Sequence, residues 1–268
     1  MKKIDNFKMN LSIVIPIYNS SNIIDKLINQ LNLKIDNKKI KKYEIILIND
    51  FSKDNSWDVI KKLSKKDQRI RGINLLKNYG QHSAIFAGLK FARGKRIITM
   101  DDDLQHPPSS IMSIYDKLDH YDLCYTIYLK RKHPKWKKII SYLNNVYSSF
   151  LFNKPLNIYH SSFRGFKLHI CKKILHFKKP IIFLDSLLLK ETKNISIIKV
   201  MHKKRFKGES NYKLKNLFSL FFDMIVNYHF LPIRFGTLLG IVSKFFVQIF
   251  RILNKRKIFQ YKIKEKTF

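Results

Sequence analysis

Acidic residues and cysteines are scarce in this sequence of 268 residues. Asp and Glu together number 19 against 53 Lys and Arg, which gives a formal net charge of +34 at pH 7. Such an excess indicates an anionic partner: nucleic acid, an anionic bilayer or phosphorylated substrates. No helix-turn-helix, zinc-finger or RNA-binding signature is present, which disfavours nucleic acid. Only ten of the basic residues are Arg, so drift of an AT-rich genome toward Lys is an alternative source of part of the charge.

The sequence also has little that indicates an oxidising compartment. Its two cysteines, Cys124 and Cys171, lie in apolar segments, which predicts buried thiols rather than a disulfide or a metal pair. The first residues, Met-Lys-Lys-Ile-Asp-Asn, contain no apolar core of a secretory signal. We therefore expect the main part of the protein to face a reducing cytoplasm.

No apolar run reaches the roughly 20 residues needed to span a bilayer. The composition nevertheless changes near Lys213, where a phenylalanine-rich apolar stripe begins, and residues 235–250 are more apolar still. We interpret 235–250 as an interfacial segment or a short span, and the basic tail, 251–266, as suited to an anionic leaflet. An ordinary pair of core helices is the alternative. The predicted organisation is an α/β domain, 1–212, followed by a membrane-associated region, 213–268.

Apolar strand patterns alternate with amphipathic helical patterns along most of the chain, and 45% of the residues are hydrophobic, which is ample for a core. Strands are predicted at 11–17, 43–48, 70–75, 96–100, 123–128, 162–166 and 195–201. Short connections between alternating strands and helices are typical of an α/β fold with a doubly wound, mostly parallel sheet.

Three consecutive carboxylates, Asp101, Asp102 and Asp103, follow the fourth predicted strand. Adjacent carboxylates repel one another unless a cation lies among them. A hard divalent cation such as Mg²⁺ or Mn²⁺ prefers oxygen ligands and often shares its shell with phosphate oxygens. Because open α/β sheets bind ligands at the carboxyl ends of their strands, this segment predicts a site for a metal and phosphate. A solvated acidic turn is the alternative.

Polar residues also follow the other three strands of the N-terminal half. Tyr18 and Asn19 come after the first strand, Asn49 and Asp50 after the second, and the segment 77–80, Lys-Asn-Tyr-Gly, after the third. The carboxyl ends of parallel strands meet at one edge of a sheet, so we expect these residues and the three aspartates to form a single site.

Five segments occur in a familiar order: VIPIYN, NDFSKDNS, NYGQHSAIFAGL, DDDLQHPP and RFKGESNY. Together they resemble the family 2 glycosyltransferases with the GT-A fold. Within that family, the chain most resembles the polyprenyl-phosphate glycosyltransferases, a branch that includes dolichyl-phosphate mannose synthase and bacterial undecaprenyl-phosphate sugar transferases. The likeness covers roughly residues 10–240. It implies an inverting, metal-dependent transfer of a sugar from a nucleotide-diphosphate donor to polyprenyl phosphate.

The resemblance also implies roles for individual residues. Positions expected to bind the nucleotide sugar are Pro16, Tyr18, Asn19, Asp50, Asn78, Gln81, Asp101, Asp102, Ser210 and Tyr212. The metal is expected at Asp101, Asp103 and Gln105. Asp103 and Arg205 are expected to act on the departing diphosphate, and Arg131, Lys138 and Arg164 to bind the acceptor phosphate. Asp102 has a lesser role, because that branch more often has a small residue there.

Three positions depart from the pattern of the family that this chain resembles. Asn49 and Phe51 stand in a segment that often reads Asp-Asp-Gly-Ser, and Ile158 stands where an Asp is usual. A lipid phosphate is already anionic at neutral pH and needs no strong general base, whereas a hydroxyl acceptor must lose a proton. Asp185, the late carboxylate in an apolar setting, is a candidate base or sugar contact, with a helix cap as the alternative.

The expected setting is the inner face of a bacterial cytoplasmic membrane, where the anionic surface would attract the basic protein and self-association is consistent with the branch. We expect His82 and His106 to flank the site without binding metal. One alternative function is extension of a saccharide through its hydroxyl. Another, from a different class, is a non-catalytic membrane-binding protein that retains the fold.

Overall fold

The computed structural model describes residues 9–35, 40–129, 145–146, 149, 154–156, 158–159, 161–177, 183–201 and 261–268. In these residues eight strands and six helices follow one another as β1 (Met9–Ile17), α1 (Ile24–Lys34), β2 (Tyr43–Asn49), α2 (Ser56–Lys66), β3 (Ile70–Leu75), α3 (Gln81–Leu89), β4 (Gly94–Thr99), α4 (Ser110–Lys117), β5 (Leu123–Leu129), β6 (Arg164–Lys167), α5 (Leu168–Ile174), α6 (Leu184–Glu191), β7 (Ile195–Met201) and β8 (Ile263–Lys266).

The eight strands form one sheet in the order β7-β5-β6-β4-β1-β2-β3-β8. Strands β1 to β4 are parallel, as are β5 and β7, whereas β6 runs antiparallel to both β4 and β5. Strands β5 and β7 therefore point in the same direction as β1 to β4. The prediction of an α/β fold with a mostly parallel sheet is confirmed.

Apolar side chains cover both faces of the sheet. The central strand β1 sends Ile13 and Ile15 toward one cluster and Val14 toward the other, as expected for a strand buried on both sides. Helix α3 lies close against the second face because it carries small residues. A side-chain carbon added at Gly88 would lie 2.6 Å from Ile48 and 2.7 Å from Val14, so a larger residue would force these side chains to move.

The last residues of the chain extend the sheet, although the sequence pattern placed them in a membrane-associated region, 213–268. Strand β8 pairs antiparallel with β3. Trp57 Nε1 donates to Glu265 Oε2 at 2.9 Å, and the backbone N–H of Gly72 donates to Thr267 Oγ1 at 2.8 Å. The open edge of β3 thus gains a partner for its backbone groups. Residues 213–260 lie outside the described residues, as does the predicted segment 235–250.

Strands β7 and β8 occupy opposite edges of the sheet. We call the end of the sheet where β1 to β4 finish its carboxyl edge. Strand β7 also finishes there, and β8 begins there, because Ile263 pairs with Leu75 and Leu76 N–H donates to the Lys262 carbonyl at 2.9 Å. The chain therefore leaves and rejoins the described structure at the carboxyl edge. None of the helices in the described ranges is both long and apolar enough to cross a bilayer.

Candidate active site

The loops that follow β1 and β2 are tied together at the carboxyl edge. Asp50 N–H donates to the Ile17 carbonyl at 2.9 Å, Asn19 N–H donates to Ser52 Oγ at 3.0 Å, and Lys53 N–H donates to Asn19 Oδ1 at 2.8 Å. Asn19 thus bonds to a neighbouring loop, and α1 begins without a side-chain cap. The predicted convergence of these two strand ends is confirmed.

Asp50 fixes the loop that follows β3. Its two carboxylate oxygens accept the backbone N–H groups of Tyr79 and Gly80, each at 2.8 Å. Burial raises the pKa of this carboxyl group, and the two backbone donors oppose that effect. The carboxylate is buried and faces the 77–80 loop. Its expected contact with the nucleotide stays a prediction, and its observed role is to shape the loop that carries Asn78.

Asp102 joins the loop after β1 to the turn after β4. Its Oδ2 atom accepts Ser20 Oγ–H at 2.6 Å and Tyr18 N–H at 3.2 Å. Burial raises the pKa of Asp102 to about 6, the two donors oppose this, and the charges of Asp101 and Asp103 raise it further. Asp102 therefore acts as an internal brace between two loops, which agrees with the lesser role expected for it.

Asp101 connects three elements of the fold. Its Oδ1 accepts the Gln81 side-chain amide at 2.5 Å, and its Oδ2 accepts Ser162 Oγ–H at 2.7 Å. Gln81 opens α3, and Ser162 lies just before β6. The Asp101 N–H donates to His106 Nδ1 at 2.9 Å. These contacts set the direction of the carboxylate, and they give Gln81 an observed role as its partner.

His106 is a positioning residue that sequence reasoning left without a role. Its ring stacks on Phe163, with centroids 5.0 Å apart, and on Tyr128 at 5.9 Å. Because Nδ1 accepts the Asp101 N–H, the proton of the neutral ring lies on Nε2. Nε2 is 3.6 Å from Asp101 Oδ2. The stacked, buried ring therefore fixes the backbone of Asp101 and lies next to its carboxylate.

Asp103 closes the turn after β4 by accepting the Gln105 N–H at 3.0 Å. Within the described ranges, no three or more His, Cys, Asp or Glu side chains converge in a way that would hold a metal ion. Mg²⁺ is commonly held by only one or two carboxylates, with phosphate oxygens and water completing its shell. The oxygen donors of Asp101 and Asp103 fit that mode of binding, in which the substrate itself supplies ligands.

A buried ion pair lies beside the three aspartates. Arg164 on β6 is 1% exposed, and its Nη1 donates to Asp185 Oδ1, which also accepts the Tyr125 hydroxyl at 2.8 Å. Burial opposes the charge of Arg164, but the carboxylate of Asp185 outweighs it and raises the Arg164 pKa. The Nε and Nη2 atoms of Arg164 are buried without a partner in the described part of the chain.

This pair changes the interpretation of two predicted residues. Asp185 does not cap its helix, because α6 has no side-chain cap and Phe183 occupies the capping position. The alternative of a helix cap is therefore wrong. The expected contact of Arg164 with an acceptor phosphate stays a prediction, and in this structure its guanidinium is withdrawn from the surface into the ion pair.

Lys154 is a second buried cation that the sequence did not single out. Its Nζ donates to the Asn145 Oδ1 and to the Ile158 carbonyl, both at 2.6 Å, and to Ser149 Oγ at 3.1 Å. Burial lowers the pKa of Lys154 to about 8, and the charge of Asp185 opposes this. The chain contains many lysines, and nothing in the local sequence distinguishes Lys154 from the others.

The remaining predicted residues divide into two groups. Pro16 lies near the end of β1, Tyr18 and Asn78 are exposed at the carboxyl edge, and Gln105 lies in the turn after β4. These positions are compatible with a shared site. The others lie outside the described residues: Arg131, Lys138, Arg205, Ser210 and Tyr212.

Solved structures share this arrangement of sheet and loops. Glucosyl-3-phosphoglycerate synthase from Mycobacterium tuberculosis, in complex with Mn²⁺, UDP and glucosyl-3-phosphoglycerate, matches with a TM-score of 0.60 and 14% identity over 81% of this chain and 78% of that one. S. aureus TarS 1–349 in complex with UDP-GlcNAc matches with a TM-score of 0.54 and 18% identity over 82% and 67%. At these identities the likeness shows the fold, and the predicted GT-A fold is confirmed.

Matches at the level of sequence identify the family. Residues 12–175 match the family model of glycosyl transferase family 2. Over 232 residues the chain is 33% identical to undecaprenyl-phosphate 4-deoxy-4-formamido-L-arabinose transferase from Shewanella sediminis (strain HAW-EB3), which covers 86% of this chain and 70% of that protein. The chain therefore belongs to glycosyltransferase family 2, and the protein is a glycosyltransferase.

Proposed function

We propose that this protein transfers a sugar from a nucleotide-diphosphate sugar to polyprenyl phosphate, with undecaprenyl phosphate as the expected acceptor. The observation that carries the proposal is the set of braced loops around Asp101, Asp102 and Asp103 at the carboxyl edge of the sheet. The relative from Shewanella sediminis, which is named for undecaprenyl phosphate, supports this choice of acceptor.

The donor would lie across the ends of β4, β1 and β2. Its diphosphate would approach Asp101 and Asp103, and its nucleoside would extend toward the loops after β1 and β2, since ligands of such sheets bind where the strand order reverses. A divalent cation, Mg²⁺ or Mn²⁺, when bound by these two carboxylates would offset the charge that develops on the leaving diphosphate. The complexes of the M. tuberculosis synthase with Mn²⁺ and UDP support this expectation.

The state of Asp185 supports a phosphate acceptor over a hydroxyl acceptor. A phosphate monoester is anionic at neutral pH, whereas a sugar hydroxyl must lose its proton to a base. Asp185 was the candidate base, and it accepts hydrogen bonds from Arg164 and Tyr125 in the protein interior. A carboxylate stabilised in this way is a weak base, which disfavours extension of a saccharide through its hydroxyl.

The same proposal places the carboxyl edge toward the inner face of a bacterial cytoplasmic membrane. The chain leaves β7 and enters β8 at this edge, on opposite sides of the sheet. The intervening residues contain the most apolar stretch of the sequence, 235–250, with basic residues after it. An attachment there would present the site to the phosphate of a membrane lipid.

The test is a reaction of purified protein with undecaprenyl phosphate, Mn²⁺ and a panel of nucleotide sugars, followed by mass spectrometry of the lipid. We expect a glycosylated lipid from one donor, and about a 100-fold slower reaction for Asp103→Asn, since removal of a preorganised electrostatic group typically has this effect. Asp58→Asn, at an exposed acidic residue on α2, is the matched control and keeps the wild-type rate.

Two other results would contradict the proposal. Release of nucleoside diphosphate with an oligosaccharide acceptor, and without any glycosylated lipid, would establish saccharide extension instead. A membrane-bound protein that turns over no donor, and whose cellular function survives Asp103→Asn, would establish the non-catalytic alternative.

A further inference from the structure

Among the residues that the structure describes, three that are not glycine have a left-handed backbone conformation, and all three lie in loops at the carboxyl edge. They are Asn19 with φ 53°, Phe51 with φ 61° and Leu104 with φ 60°. Asn tolerates this conformation because its short side chain avoids the clash, whereas bulky residues adopt it at a cost. Phe51 and Leu104 are therefore the two strained positions of the site.

Burial offsets the strain at Leu104 but not at Phe51. Leu104 is 6% exposed and belongs to an apolar core cluster. Phe51 is 47% exposed, so its large ring gains little from packing while its backbone is strained. Strained residues that persist without such compensation are concentrated at ligand sites. A folding role therefore does not explain why a phenylalanine stands at this position.

Hydrogen bonds on both sides hold Phe51 in this turn. Before it, Asp50 N–H donates to the Ile17 carbonyl. After it, Ser52 N–H donates to Asn49 Oδ1 at 3.3 Å, and Ser52 Oγ accepts the Asn19 N–H at 3.0 Å. The backbone is fixed at both neighbours, so the ring is presented at the carboxyl edge in a defined position rather than on a loose loop.

The distance across the sheet suits one nucleotide. Strands β4 and β2 flank β1, so Asp101 and Phe51 follow strand ends that are about 10 Å apart, at two interstrand spacings. A nucleoside with its diphosphate at Asp101 and Asp103 would bring its base to the end of β2. Aromatic rings there would offer a face for stacking, and Tyr18 on the intervening β1 loop is also exposed, at 38%.

We propose that Phe51 is a donor-binding residue whose ring stacks on the nucleobase of the donor. The inference rests on the proposed function, because it needs a nucleotide at this edge. Stacking on an aromatic face tolerates different bases and contributes substantially to affinity. The side chain at this position therefore suits a ligand better than it suits its own left-handed backbone.

The test measures binding of UDP, GDP and inorganic pyrophosphate to the full chain by calorimetry in the presence of Mn²⁺. Phe51→Asn removes the ring but suits the left-handed backbone, and Phe51→Tyr keeps the ring. We expect about tenfold weaker binding of the preferred nucleoside diphosphate to Phe51→Asn, near wild-type binding to Phe51→Tyr, and unchanged binding of pyrophosphate to both. Leu33→Ala, at an exposed leucine on α1, is the control for loss of apolar surface.

Thermal unfolding separates stacking from a structural role. Phe51→Asn should unfold at the wild-type temperature or above it, because the substitution relieves backbone strain. Wild-type nucleotide affinity in Phe51→Asn would overturn the inference and leave the proposed function intact. An equal loss of pyrophosphate binding would also overturn it, since the loop would then serve the diphosphate. A wild-type protein that binds no nucleoside diphosphate would overturn the proposed function and this inference with it.

Discussion

The two ends of the sheet hold carboxylates in opposite ways. At the amino end, Glu44 is fully buried, and its Oε2 accepts from the guanidinium groups of Arg71 at 2.9 Å and Arg93 at 2.7 Å. Its Oε1 accepts Ser12 Oγ–H and the Arg93 N–H. At the carboxyl edge, by contrast, Asp101 and Asp102 are held by an amide, hydroxyls, a neutral imidazole and a backbone N–H.

The difference separates a carboxylate whose charge is paired within the fold from carboxylates that are held by neutral groups at the proposed ligand site. Glu44 has its charge balanced by two arginines within the protein, and its pKa is lowered because these hydrogen bonds outweigh the effect of burial. Asp101 and Asp102 form no ion pair with Lys or Arg in the described ranges. Neutral groups orient these carboxylates, and the buried guanidinium of Arg164 is a favourable charge near Asp101 without a direct ion pair. The proposed cation would supply the direct charge partner that Asp101 lacks in the described ranges.

The largest expected effect is a difference in the free energy of unfolding between two variants, each of which neutralises a carboxylate at one end of the sheet. Glu44→Gln should lower the free energy of unfolding by about 3 kcal/mol, because it leaves the buried guanidinium group of Arg71 without its charged partner. Asp102→Asn should change it by less than about 1 kcal/mol, since it removes one of three adjacent negative charges while its oxygen still accepts from Ser20. Urea unfolding at pH 7 measures both. Equal destabilisation by the two substitutions would contradict the proposed difference between the two ends of the sheet.

A smaller effect is expected at Phe268, which connects β8 to the amino-end network. The Arg71 guanidinium lies 3.8 Å from the centre of its ring, and the ring packs edge-on against Phe91 at 5.5 Å. Phe268→Ala should lower the free energy of unfolding by about 1 kcal/mol, as for a partly exposed cation–π contact. When Phe268→Ala is introduced into Glu44→Gln, where Arg71 has already lost its carboxylate, we expect a different change in the free energy of unfolding. The effects of two residues that share a partner do not simply add. Identical increments would show that Phe268 and Glu44 are independent.

The last prediction concerns Lys154, a buried cation whose hydrogen-bond acceptors among the described residues are all neutral. Burial lowers the pKa of Lys154 to about 8, below the usual value near 10.4 for lysine. Between these values the unfolded chain binds the proton more tightly than the folded one, so this residue makes stability rise with pH from about 8 to about 10. The difference in unfolding free energy between wild type and Lys154→Met should follow that slope, and a pH-independent difference would contradict the assignment.

Local patterns in the sequence predicted the parts of the site that depend on strand ends. Apolar runs that stop at Asn49-Asp50 or at Asp101 give both the strand and the location of its polar end, because parallel strands share one edge. The pair of Arg164 and Asp185 could not be predicted, because it joins residues 21 positions apart, on β6 and α6, that meet only through the tertiary fold.

Strand β8 escaped prediction for a different reason. It is short and basic, and it follows the apolar segment, so its composition favoured an anionic leaflet. What makes it a strand is the open edge of β3, together with side-chain contacts such as that between Trp57 and Glu265. Glu44 could have been suspected, since a charged residue in the apolar run 43–48 must find a partner, but the sequence does not indicate which arginines supply it.

The most direct test of the central claim is nucleoside diphosphate binding as a function of Mn²⁺ concentration, measured by calorimetry on wild type, Asp103→Asn and Asp58→Asn. The account predicts that UDP or GDP binds wild type and Asp58→Asn only when Mn²⁺ is present, and binds Asp103→Asn at least tenfold more weakly. Equal binding to all three proteins in the presence of a chelator would contradict it, because the carboxyl-edge aspartates would then have no part in holding a cation with the diphosphate.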